Sequence, residues 1–192
     1  MLENINYSEY KQDIKRVIYD GQIILMNTRR DDSLKPAVVI DIDETILSNY
    51  QYILDHDSLD DLNHFCSWQS LGLCKPIEPV VDFYHWLINH NFNVFFVTAR
   101  NYDLKVATYE NLAKIGVTNW TGIYFRDEKK WPSTKLYKAS QRREIFSNGY
   151  QILLNIGDQP TDFEGGFAEH HLQIPNPFYL ESKLPWKKQP IH

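Results

Sequence analysis

The stretch AVVIDIDETILSN, residues 37–49, constrains this chain most. Four apolar residues, Ala37 to Ile40, ask for burial on both faces, and two carboxylates, Asp41 and Asp43, follow at once. A strand that is apolar without alternation belongs in a parallel sheet covered by helices on both sides. Right-handed crossovers bring the carboxyl ends of such strands to one edge, which is where open α/β sheets bind ligands. Residues two apart on extended backbone share a face, so Asp41 and Asp43 serve one place.

The rest of the chain repeats this plan. The apolar runs AVVID, NVFFVT, GIYFR and QILLNIGD are separated by PIEPVVDFYHWLINH, YDLKVATYENLAKIG and TKLYKASQRREIFSNG, whose apolar residues stand three and four apart. Gly116 and Gly149 close the last two helices. Residues 7–28 carry Tyr10, Ile14, Val17, Ile18 and Ile24 at near-helical spacing and predict an amphipathic helix laid on the sheet. The expected fold is α/β, a three-layer sandwich about a central, mainly parallel sheet, with an N-terminal helix and a small insertion after the first strand. A chain of 192 residues, 43% hydrophobic, buries one ordinary core. Without repeats or Gly/Ser linkers it reads as one domain over 1–192, with residues 50–77 as an insertion longer than a normal connection.

A formal net charge of −5 argues against nucleic acid as a partner. No window reaches the roughly 20 apolar residues of a membrane span. The opening MLENINYSEYKQD has no basic region followed by an apolar one, so the expected location is cytoplasmic, with periplasmic or secreted as the alternative if a leader has been removed. Cys66 and Cys74 match no zinc pattern; unpaired thiols are expected, with a local disulfide as the alternative.

Polar residues collect at the predicted strand ends: Asp41 and Asp43, then Thr98 and Arg100 in VTAR, then Asp158 with Asp162 four residues beyond. Each such Asp taken singly could merely cap the next helix. Asp41, Asp43, Asp158 and Asp162 in one pocket would carry about −4, which requires cations or raised pKa values. Oxygen ligands without Cys or His suit Mg²⁺ better than zinc. An EF-hand loop opening at Asp41 fails, because Tyr52 stands where its Glu belongs. Lys138 is a candidate for a further positive charge, Arg100 reads as a surface or salt-bridge residue, and His170 and His171 read as loop residues.

Taken in order, DIDET, the Thr of VTAR, the Lys of YKASQRR and GDQPTD resemble the four motifs of the haloacid dehalogenase superfamily. The opening helix, PIEP and IPNPFY resemble its acid phosphatases of the class C and plant vegetative-storage-protein kind, so the resemblance covers most of the chain. It implies an acid phosphatase, a Mg²⁺-dependent hydrolase of phosphate monoesters. Asp41 would be the nucleophile that becomes an aspartyl-phosphate, and Asp43 the general acid and then the base. Thr98 and Lys138 would bind the phosphoryl group, with Lys129, Lys130 and Lys135 as alternatives to Lys138. The metal ligands would be Asp41, the backbone carbonyl of Asp43, Asp158 and Asp162.

The expected partner is a small-molecule phosphate monoester, a nucleotide among the candidates. In the insertion, Tyr50, Tyr52, Phe65 and Trp68 could stack on an aromatic leaving group, or simply pack the insertion against the domain. A catalytically silent storage or binding protein and a phosphotransferase are the alternative functions. Charge counting with Mg²⁺, Lys138 and an incoming phosphate dianion leaves the pocket negative, so Asp43 is expected to favour its proton and the rate to peak on the acid side of neutrality.

Overall fold

A computed structural model of the protein describes residues 6–56 and 61–179. In chain order the elements are α1 (Tyr7–Asn27), β1 (Lys35–Ile40), β2 (Leu47–Ser48), α2 (Tyr50–His56), α3 (Leu62–Gln69), β3 (Lys75–Pro76), α4 (Glu78–Asn89) and β4 (Asn93–Asn101). A 3-10 turn (Tyr102–Leu104) leads into α5 (Lys105–Lys114), and β5 (Gly122–Arg126), α6 (Thr134–Ser147), β6 (Tyr150–Gly157), α7 (Pro160–Phe163) and β7 (His170–Gln173) follow.

The main sheet has the order β5-β4-β1-β6-β7, and every neighbouring pair in it is parallel. The strand that leads into the two carboxylates is therefore the central one. Its continuous apolar run is consumed by both faces. Val38 and Ile40 join Val94, Phe96, Leu154 and Ile156 beneath α1 and α4, while Ala37 and Val39 join Phe95, Val97 and Ile152 against Tyr137 and Ile145 of α6. This is the three-layer α/β arrangement expected.

The N-terminal helix forms as predicted, capped by the Asn6 side chain, and packs Tyr10, Ile14, Ile18 and Leu25 onto the sheet. Among the described residues no helix is long and apolar enough to cross a membrane. The strand β7 departs from the sequence expectation. His170 and His171, read as loop residues, pair with Leu154 and Asn155 of β6. Only Leu172 of its four residues is buried, too weak an apolar pattern to announce an edge strand.

Between β1 and α4 the chain makes a tight turn, a two-stranded antiparallel pair of β2 with β3, and the short helices α2 and α3. Tyr52, Ile53 and Phe65 form a small cluster there, with Trp68, Phe178 and Tyr179 packed against it. Of the two roles open to Tyr52, Phe65 and Trp68, the structure shows the packing one. The Tyr52 ring lies 5.0 Å from Phe65, 5.5 Å from Trp68 and 4.3 Å from His56, so these rings serve one another. Tyr50 stacks on Phe178 at 4.8 Å and on Tyr7 at 5.9 Å. The two cysteines are free thiols.

Candidate active site

Asp41 leaves the end of β1 with its backbone N–H donated to the Ile156 carbonyl of β6 at 2.9 Å, which holds it at the middle of the sheet's carboxyl edge. Beyond it the backbone N–H groups of Ile46 and Leu47 both donate to the Ile42 carbonyl, and Glu44 adopts a φ of 51°. This turn keeps Asp43 over the same edge. Asp158 follows β6, and Asp162 sits in α7 with its carboxylate accepting the Gln159 backbone N–H at 2.8 Å.

Carboxylate oxygens of Asp41, Asp158 and Asp162 lie within 4.8 Å of one another, and all three residues are buried. Lys138 of α6 enters the same cluster, donating to Asp41 Oδ1 at 2.6 Å and to Asp162 Oδ1. The neighbouring lysines go elsewhere: Lys135 pairs with Glu164, and Lys130 lies over the Trp131 ring. Burial works to lower the Lys138 pKa, but Asp162 and Asp41 outweigh it and hold the ammonium.

One ammonium does not neutralise three carboxylates. Burial first, with Asp162 and Asp43 adding to it against the pull of Lys138, pushes Asp41 up to about 8. Burial and then Asp162 and Asp41 push Asp158 well above the usual carboxylate range. Such a set of converging, protonation-prone oxygens with no sulfur or imidazole donor fits a hard divalent cation.

Asp43 meets different company. Its Oδ1 accepts from Arg100 Nη2 at 2.7 Å, Asn49 Nδ2 at 2.8 Å and Gln69 Nε2 at 2.9 Å, while Arg100 Nε reaches Oδ2 at 3.1 Å. Burial alone would raise its pKa, but Arg100 outweighs burial, helped by the Asn49 amide and the Lys138 charge, and holds Asp43 below the usual carboxylate range. The expectation that the surroundings of Asp43 favour its proton is corrected: charge counting omitted Arg100. That residue is not on the surface. It is 4% exposed, donates to Thr108 Oγ1 at 3.0 Å, and pairs with Asp43 from two positions beyond Thr98. Thr98 is fully buried at the same strand end.

Asn49, Gln69 and Arg142 were not read as site residues. Asn49 meets Asp43 across the turn after β1, six residues on, and Gln69 meets it from 26 residues away. Arg142 stands one helical turn beyond Lys138 and donates to the carbonyls of Asp162, Glu164 and Gly166, so α6 grips Asp162 by both its side chain and its backbone.

Gly157 has a steric reason to be glycine. A Cβ there would stand 2.2 Å from Asp162 Oδ2 and 2.4 Å from its Cγ, and Asp162 cannot retreat because Lys138, Arg142 and Asn155 hold it. Gly157→Ala is expected to cost about 1–3 kcal/mol through overpacking. The displaced Asp162 should also weaken any divalent cation held between it, Asp41 and Asp158. Calorimetric melting with and without Mg²⁺ checks both, and an unchanged Mg²⁺-induced shift would refute the second.

Known proteins resemble this chain in sequence and fold. Tomato (Solanum lycopersicum) acid phosphatase 1 is 29% identical over 178 residues, covering 88% of this chain and 69% of the tomato protein. Vegetative storage protein 1 of Arabidopsis thaliana is 25% identical over 179 residues, covering 91% and 66%. The class C acid phosphatase of Bacillus anthracis has the same fold, with a TM-score of 0.75 at 23% identity over 90% of this chain and 80% of that one. The family model described as HAD superfamily, subfamily IIIB (acid phosphatase), matches residues 1–182. By that match, which spans the central strand, the Lys138 helix and both later aspartates, the chain belongs to the HAD superfamily, subfamily IIIB, the acid phosphatases.

Proposed function

We propose that the protein is a Mg²⁺-dependent acid phosphatase that hydrolyses small phosphate monoesters through a phosphoryl group carried on Asp41. The observation that carries this reading is the convergence of Asp41, Asp158 and Asp162, the first and last of them paired with Lys138, with Asp43 two residues from the nucleophile.

Asp41 attacks phosphorus in line, forming an O–P bond as the ester P–O bond breaks, and the leaving oxygen takes a proton from Asp43. Water then attacks the phosphoryl-Asp41, giving its proton to Asp43 and releasing phosphate. Thr98 would donate to a phosphoryl oxygen, and Lys138 would hold phosphoryl charge while fixing Asp41. Asp41, Asp158, Asp162 and the backbone carbonyl of Asp43 would hold Mg²⁺, which when bound neutralises charge and polarises a phosphoryl oxygen.

The Arg100 pair holds Asp43 as a carboxylate, so the resting state is set for the base half of the cycle. The acid half needs a proton brought in. A phosphate monoester with a second pKa near 6 carries one at mildly acid pH, which favours turnover on the acid side without requiring a raised Asp43 pKa.

Phosphate release should be measured across nucleotides, sugar phosphates and phosphotyrosine for the wild type and Asp41→Asn. Release by the wild type and none by the variant is expected. No turnover of any ester by the wild type would favour a storage or binding protein, the reading that the likeness to vegetative storage protein 1 supports. Alcohol release exceeding phosphate release in added glycerol would indicate transfer to the alcohol instead.

A further inference from the structure

The segment IPNPFY, residues 174–179, contributes a function that the four motifs do not cover. It leaves β7 across the carboxyl edge of the sheet, tied down where the backbone N–H of Ile174 donates to the Gly157 carbonyl at 2.8 Å. Asn176 then donates from Nδ2 to Asp158 Oδ2 at 2.7 Å. Its other amide atom is also committed, since Asn176 Oδ1 accepts the backbone N–H of Phe178 at 2.9 Å and of Tyr179 at 3.3 Å. These two bonds fix the amide orientation: the oxygen faces the turn, so the NH₂ end is what Asp158 meets.

Two further contacts hold the turn in place. The Tyr179 hydroxyl donates to Glu44, which also accepts the backbone N–H of Asn49 at 2.6 Å. The Phe178 ring stacks on Tyr50 at 4.8 Å and meets Tyr10 edge-on at 5.4 Å. The segment is thus bolted to the turn after β1, to α1 and to the residue after β6.

We propose that Asn176 is a positioning residue for the metal ligand Asp158, and that residues 174–179 form a strap whose internal turn aims it. The proposal rests on the reading of Asp41, Asp158 and Asp162 as a Mg²⁺ site. Of the Asp158 oxygens, Oδ2 is taken by Asn176 together with Gln159, which leaves Oδ1 for a cation. Outer-shell donors of this kind orient ligating carboxylates, and their loss typically costs 10–100-fold in metal affinity. Asn176 is partly exposed, so its truncation perturbs the site without opening a core cavity.

The test is the Mg²⁺ dissociation constant of the full chain, measured by calorimetric titration for the wild type, Asn176→Ala and Asn176→Ser. Serine keeps a side-chain acceptor for the turn but is too short to reach Asp158, so it preserves the comparison if the alanine variant folds poorly. Both variants should bind Mg²⁺ about tenfold or more weakly. In turnover assays the apparent KM for Mg²⁺ should rise by the same factor, with kcat recovered at saturating Mg²⁺. Wild-type affinity in the serine variant would overturn the proposal while leaving the metal site intact, and so would a lowered kcat at unchanged Mg²⁺ affinity. A wild type that binds no Mg²⁺ would refute the metal reading itself, and this proposal with it.

Discussion

Asp43→Asn, mixed rapidly with nitrophenyl phosphate, should release a burst of nitrophenolate close to one equivalent per site and then fall to a steady rate about 10²–10⁴-fold below wild type. Nitrophenolate hardly needs a proton to depart, so Asp41 can still attack. Water attacking the phosphoryl-Asp41 has no such escape, because it must give up a proton and an amide cannot accept it. Phosphoenzyme should therefore accumulate, detectable as one phosphate bound per chain after acid quench. Asp41→Asn should show neither burst nor turnover, and a burst surviving there would exclude Asp41 as the nucleophile. A uniformly slowed Asp43→Asn without a burst would mean that the two roles are wrongly assigned.

The ion pair to Arg100 adds a second readout to that experiment. An amide oxygen can still accept from Arg100, but the variant leaves a guanidinium whose side chain is 1% exposed without its counter-charge. Removing one partner of a buried pair costs about 3–5 kcal/mol, so a lowered melting temperature should accompany the kinetic change. The kinetics must be read well below it.

The parts of this site that were legible in the sequence are those in which chemistry and local pattern coincide. Asp41 and Asp43 were legible because an unbroken apolar run must be a buried strand, and a buried strand in a parallel sheet ends at the ligand edge. Asp158 and Asp162 were legible as a second run of the same kind ending in GDQPTD. Arg100 was legible as half of a salt bridge and not as the group that sets the charge state of Asp43. Its partner is 57 residues away, and the parity that places it beside Thr98 says nothing about which carboxylate it meets. Gln69, 26 residues from Asp43, and Asn176, 18 from Asp158, are placed by tertiary packing in the same way. Composition likewise offered Tyr52, Phe65 and Trp68 as a stacking surface. In the structure those rings pack on one another between α2 and α3.

Removing divalent metal should abolish turnover, with Mg²⁺ restoring it and zinc substituting poorly, and the same titration should reveal the charge balance of the pocket. Asp41 is pushed up to about 8 from an ordinary 3.8, so between those values the folded metal-free chain keeps a proton that the unfolded chain has lost. A folded state that binds more protons than the unfolded state loses stability as pH rises. The metal-free protein should therefore be most stable below about pH 4 with respect to this group, and should weaken as pH climbs towards 8. A divalent cation displaces that proton, so Mg²⁺-induced stabilisation should be small at pH 5 and largest near pH 8. At 100 times its dissociation constant a bound ion adds about 2.7 kcal/mol, which for a chain of this size raises Tm by about 5–10 °C. Lys138 does not reverse the trend, because its ammonium is held charged across the whole window. Scanning calorimetry at pH 5 and pH 8, with EDTA and with Mg²⁺, checks the sign. A Mg²⁺ shift equal at the two pH values would mean that Asp41 carries no such proton, and full activity after exhaustive dialysis against EDTA would mean that the three aspartates are held together by something other than a metal ion.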